Sequence, residues 1–147
     1  ITESGRFYFY SRKISKIINS FYKVIPDRDI MDDADLYTLN REVFKHADHK
    51  SRMNYIEGVY LRYGSKGFNE IKMYNADTKM ETIGKVLKSL DCKEVKLYYS
   101  FGIPAGYKIL FKPTEELKKL LKIEKYKTAE EIFTEEKYEL FKEIVKK

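Results

Sequence analysis

Few residues in this 147-residue chain stand at spacings that would let them do chemistry. His46, Asp48 and His49, in KHADHK, could approach one metal ion from a helix end. Two histidines without a further firmly placed ligand read instead as surface residues. Asp32, Asp33 and Asp35 offer hard oxygens to Ca²⁺ or Mg²⁺, yet the Gly and terminal Glu of a calcium loop are missing, so the run reads as a solvated acidic turn. Asp27 after Pro26, with Glu70-x-Lys72 or Glu94-x-Lys96, supplies carboxylates and a lysine of the kind that serve metal and water in phosphodiester cleavage. In a chain this charged, an acid two residues before a lysine arises by chance. No glycine-rich phosphate loop, nucleophile elbow or Ser-His-Asp set is visible, so no catalytic residue, metal or cofactor is assigned.

The length suits one compact domain, or two small halves sharing a core. No signal peptide and no unbroken apolar run of spanning length is present, so the protein reads as soluble, intracellular and cytoplasmic, with no membrane partner. Cys92 is the only cysteine, which excludes an intrachain disulfide and a thiolate-rich zinc site and leaves it as a small buried side chain. High charge and abundant Lys, Glu, Ile and Tyr lean toward a thermophile, although an AT-rich genome would enrich the same codons. The net charge of +6 is uneven: residues 41–112 carry fourteen basic groups against eight acids, while residues 26–40 carry one against five. Such a field favours polyanions nonspecifically.

RFYFY (6–10) alternates as a strand, and Ser11 caps a helix from Arg12 whose apolar stripe, Ile14, Ile17, Ile18, Phe21, Val24 and Ile25, ends at Pro26. DLYTL (35–39) reads as a short strand before a helix over 40–46. FNEIKMY (68–74) alternates as a strand. Thr78 and Glu81 form a capping box for a helix that buries Met80, Ile83, Val86, Leu87 and Leu90. EVKLYYS (94–100) and GYKILF (106–111) read as a hairpin, a helix follows Pro113, and residues 128–147 form a helical tail. Strand plus helix in FYFYS-RKISKIINSFYKVI parallels IKMYN and TKMETIGKVLKSLDC, so the chain reads as two related halves.

The stretch YIEGVYLRYGSKGF (55–68) decides what lies between them. As a helix over 53–64 it puts Ile56, Val59, Tyr60 and Tyr63 on one face. An interior Gly58 costs about 1 kcal/mol relative to Ala, which close approach of another backbone would offset. Gly64 stands where a left-handed residue ends a helix.

IEGVYLRYG (56–64) resembles the nine-residue signature of the LAGLIDADG endonucleases, with Gly58 at the third place and Gly64 at the ninth. The order of helix, strand, helix, hairpin, helix over residues 55 to 123 agrees. The resemblance implies an α+β fold of two pseudo-repeated halves. Residues 1–52 are a partial first half, 53–127 a second half with its signature helix, and 128–147 the tail. It implies two signature helices packed side by side, the other supplied by a second chain or an upstream segment, above antiparallel sheets forming a saddle on double-stranded DNA. In the family an acid before the last glycine holds the catalytic metal; here the two acidic positions are Leu61 and Tyr63. The resemblance therefore implies a degenerate copy, as in sporulation-type DNA-binding regulators, with binding kept and cleavage lost.

Period-two alternation then selects the DNA-facing side chains: Arg6, Tyr8 and Tyr10; Glu70 and Lys72; Lys96 and Tyr98; and Lys108, with Lys66 in the preceding turn. An ordinary solvated sheet face would look the same. Two alternatives stay open. One is a metal-dependent endonuclease using Mg²⁺ and drawing acids from Glu57, Glu70 or a partner subunit. The other is a protein-binding or assembly domain.

Overall fold

The computed structural model describes residues 11–20, 22–25, 36–40, 42–131 and 141–143. They form a mixed α+β structure in two compact units, Ile1–Lys45 and His46–Lys147. The strand expected at 6–10, with Arg6, Tyr8 and Tyr10, lies outside the described residues, as do Asp32, Asp33 and Asp35.

In the first unit α1 spans Arg12–Asn19, and the Ser11 hydroxyl accepts the Ile14 N–H at 3.3 Å as the capping pattern predicts. The helix does not continue to Pro26. Tyr22–Ile25 is strand β1, paired antiparallel with β2, Leu36–Leu39, from Tyr22↔Leu39 to Ile25↔Leu36. Its Tyr, Val and Ile lose rotamer freedom in a helix and fit a pleated pair, so the available partner strand overrides the helical spacing. A short α2, Glu42–Lys45, follows Asn40, whose side chain accepts the Glu42 N–H at 3.3 Å.

The second unit opens with α3, His49–Tyr63. It starts four residues ahead of the expected boundary because Asp48 caps it, Oδ1 accepting the Ser51 N–H at 2.7 Å. Met53, Ile56 and Tyr60 form its buried stripe. Strand β3 is Glu70–Tyr74 and α4 is Asp77–Ser89. Thr78 does not cap α4: Ala76 holds the cap position without a side-chain bond, and the Thr78 carbonyl accepts the Thr82 hydroxyl at 2.9 Å. Asp77 in the first turn suits the positive end of the helix dipole, which favours the earlier start. The predicted inner face of α4 holds: Met80, Ile83, Val86, Leu87 and Leu90 are all buried.

Strands β4, Lys93–Ser100, and β5, Gly106–Lys112, form the predicted hairpin, and α5, Glu115–Leu121, is capped by Thr114. The sheet is antiparallel in the order β3-β5-β4, with a short β6, Phe141–Glu143, on the outer edge of β4. The expected helical tail thus contains a strand. One sheet face packs under α4 while α3 lies against β3, α4 and α5. Ile56, Ile71, Met80, Leu87, Ile109, Phe111 and Leu117 are inaccessible there, each burial contributing about 1.5 to 3 kcal/mol. Among the described residues no helix is long and apolar enough to cross a membrane.

Candidate functional site

The exposed side of α3 is the first candidate. Ser51, Asn54, Gly58 and Leu61 recur at spacings of three and four, opposite the Met53-Ile56-Tyr60 stripe, and all four are exposed. Leu61 is 80% accessible, and a Cβ built on Gly58 would meet nothing within 4 Å. Among the described residues the close backbone approach expected at Gly58 is not made; the glycine opens onto space.

The tip of the helix corrects a second expectation. Gly64 is extended, with φ −78° and ψ 147°, rather than left-handed. Glycine is needed there for room, because a Cβ would lie 2.6 Å from both Tyr60 Cγ and the Tyr60 carbonyl oxygen. The positive backbone angle comes three residues later, at Gly67, φ +80°. The Tyr60 hydroxyl reaches two carbonyl oxygens of this turn, Ser65 at 2.7 Å and Phe68 at 2.6 Å, and burial pushes its phenol above the ordinary range. Arg62 lies 5.3 Å from the centre of the Tyr63 ring, and Lys66 is exposed beyond it, so basic and aromatic groups occupy the end of the helix.

The second candidate is the sheet face turned away from α4. Strand register aligns Lys72, Lys108 and Tyr98 in one row and Glu70, Leu110 and Lys96 in the next. This row structure follows the predicted alternation, but the predicted exposure fails at its centre. Lys108 has no accessible surface, Tyr98 has 5% and Glu70 has 7%. The Lys108 ammonium sits 2.9 Å from Glu70 Oε1, off the hydrogen-bonding direction, so the contact is chiefly ionic. Glu70 Oε2 accepts the Ser65 hydroxyl at 2.9 Å.

The segment 124–131, which follows α5, attaches to this side of the sheet. Ala129 packs on Tyr98 and Leu110, residues of this same face. The buried Asn69 side chain donates to the Lys127 carbonyl at 3.1 Å and accepts the Lys127 N–H at 2.8 Å. Tyr126 donates to Glu94 Oε2 at 2.6 Å, and the Gly67 carbonyl accepts the N–H groups of both Glu124 and Lys125 at 3.0 Å. Alternation tells which side a residue takes but carries no information about whether distant chain covers that side. Of the predicted DNA contacts, Lys66 and Lys96 are exposed and Lys72 is half-buried, while Glu70, Tyr98 and Lys108 are buried.

Sequence reasoning also passed over the hairpin tip. Phe101 and Ile103 are exposed, and the tip is braced by the Asn75 N–H donating to the Ala105 carbonyl and the Ala105 N–H donating to the Asn75 side chain. The signal available was the apolar FGIPAG, where hairpin loops are usually polar. The His46 and His49 pair does not gather ligands. His49 Nε2 meets Glu116 Oε2 at 3.1 Å, and Asp48 is engaged in the α3 cap. Among the described residues no group of three or more His, Cys, Asp or Glu could hold a metal ion. No protein-family model matches the chain, and neither the curated proteins nor the solved structures contain a significant match to it.

Proposed function

We propose that this chain is a double-stranded DNA-binding protein, built like a LAGLIDADG endonuclease, that has lost metal-dependent cleavage. The observation that carries the reading is α3: a helix whose exposed side has a glycine opening onto space and whose tip offers Leu61 and Tyr63 in place of carboxylates. A second helix of the same kind, from another chain or an upstream segment, fits against Gly58 because none of the described residues would stand within 4 Å of a Cβ there. The elements after α3 support the reading. The chain turns directly into the sheet through the Gly64↔Ile71 bridge, then runs helix, hairpin, helix, and the first unit also runs helix, strand, strand, helix. Lys66, Lys72 and Lys96 supply cationic side chains for phosphates.

Incubation with plasmid DNA and Mg²⁺ or Mn²⁺ tests this. A salt-sensitive mobility shift without cleavage is the expected result; cleavage abolished by EDTA overturns it in favour of the endonuclease. A second reading, an assembly domain, is favoured by Leu61, an 80% exposed leucine beside the open glycine. Self-association lost in Leu61→Lys, with no shift of any duplex, supports that reading instead.

A further inference from the structure

We infer that the tip of the β4-β5 hairpin, Phe101, Ile103 and Pro104, is an apolar wedge that enters a base step of bound duplex and bends it. This rests on the DNA-binding reading above and adds to it how the duplex is engaged. In a chain of which 35% is charged, residues 100–107, SFGIPAGY, carry no charge at all. Ile103 is fully exposed, Phe101 is 65% exposed, and Gly102 and Pro104 are exposed beside them. A tip that only reverses the chain is served by Gly, Asn, Asp and Ser. Large apolar groups grouped in solvent mark a surface that meets another molecule.

The tip is braced from both sides. Asn75, just past β3, ties it twice: its N–H donates to the Ala105 carbonyl at 2.9 Å, and its side-chain oxygen accepts the Ala105 N–H at 3.1 Å. The Phe101 ring stands edge-on to Tyr99 at 4.7 Å, and Tyr99 meets Tyr107 at 5.3 Å. A group already held in place loses little freedom when it inserts. The surroundings select duplex DNA as the partner. The row Tyr74, Gly106 and Ser100 closes the sheet at this end, and Tyr74 is exposed. Lys72 and Lys96 stand on the same side as Tyr74 and Ser100, about 7 and 13 Å inward at the strand rise. An uncharged apolar end with ammonium groups a few base pairs away matches a stack of bases flanked by phosphates. Phe, Ile and Pro are among the side chains that part base steps, kinking the duplex by about 20 to 90°. Pyrimidine–purine steps such as TA open most readily.

The experiment uses the full chain with two duplexes, one rich in TA steps and one a stiff A-tract. Anisotropy reads affinity, energy transfer between end labels reads bending, 2-aminopurine beside a TA step brightens when unstacked, and circular dichroism checks each variant's fold. Wild type is expected to prefer the TA-rich duplex, shorten its end-to-end distance and brighten the probe. Phe101→Ser/Ile103→Ser should bind that duplex about tenfold more weakly and lose bending and brightening. Its salt slope should not change, because serine is neutral and no phosphate contact is removed. Ile103→Ser alone, at a fully exposed position, repeats the test without touching the Phe101-Tyr99 contact. If wild type binds duplex but neither bends nor unstacks it, or if both variants behave as wild type, the tip does not meet bases and the inference fails, while the DNA-binding reading stands. If wild type binds no duplex, both fall. Sedimentation with phosphatidylcholine–phosphatidylserine vesicles, or self-association, that is lost in Ile103→Ser while duplex stays straight assigns the tip to another partner and overturns the inference.

Discussion

Lys108 on β5 and Glu70 on β3 are diagonal neighbours across the sheet, 2.9 Å from ammonium to carboxylate, and the lysine has no accessible surface. Removing one partner strands the other charge. Lys108→Met is expected to lower unfolding free energy by about 3 to 5 kcal/mol in urea titrations. Lys108→Met/Glu70→Leu should be more stable than that single variant, since neither charge is then left alone. A double variant no better than the single would mean that the pair is not the dominant interaction at this site.

Two glycines of α3 make opposite predictions from the same substitution. Gly64→Ala drives a methyl group into the Tyr60 ring and carbonyl and should cost about 1 to 3 kcal/mol. Gly58→Ala meets open space in the middle of a helix and should stabilise the isolated chain by about 1 kcal/mol. Thermal melts measure both. Where a partner helix seats on this side, Gly58→Ala should also weaken association, read by sedimentation.

Tyr126, donating to Glu94, has its phenol pushed up to about 12 by burial and by the adjacent carboxylate. A raised folded value means the hydrogen bond contributes fully below the ordinary phenol range near pH 10 and disappears as pH rises through about 12. Absorbance titration should contain one late-ionising phenol that is absent from Tyr126→Phe. A titration curve unaltered apart from the loss of an ordinary phenol would contradict the bond.

Lys66, Lys72 and Lys96 are the predicted phosphate-binding side chains that reach the surface. Replacing all three by Gln should weaken duplex binding and reduce the slope of log affinity against log salt by about 0.9 for each phosphate no longer neutralised. Measurement at several salt concentrations separates this from a general loss of folding. An unchanged slope would remove these lysines from the interface.

Much of the second unit was legible because its signals are local. The α4 stripe and the β4-β5 alternation each specify an element without help from distant chain, and the two glycines of α3 marked its extent to within a few residues. The first helix was overextended because Tyr22–Ile25 satisfies a helical spacing and a strand composition together, and only the β2 partner decides between them. Lys108 was assigned to the correct side of its strand and the wrong environment: it is buried, and Ala129, from distant chain, packs on Tyr98 and Leu110 of the same side, a contact that no periodicity announces. Gly64 was recognised as obligatory for a backbone angle when the reason is the neighbouring Tyr60 ring.

The Tyr60 phenol has one proton, and two carbonyl oxygens, those of Ser65 and Phe68, stand within 2.7 Å of it. The two acceptors share that hydrogen, while the Ser65 carbonyl also accepts the Phe68 N–H at 2.9 Å, so the phenol is one of several ties at the passage from helix to sheet. Loss of the hydroxyl alone, as in Tyr60→Phe, would leave two lone-pair-bearing oxygens facing a hydrocarbon edge, and the junction between the rod and the pleated layer would loosen before either of them melted.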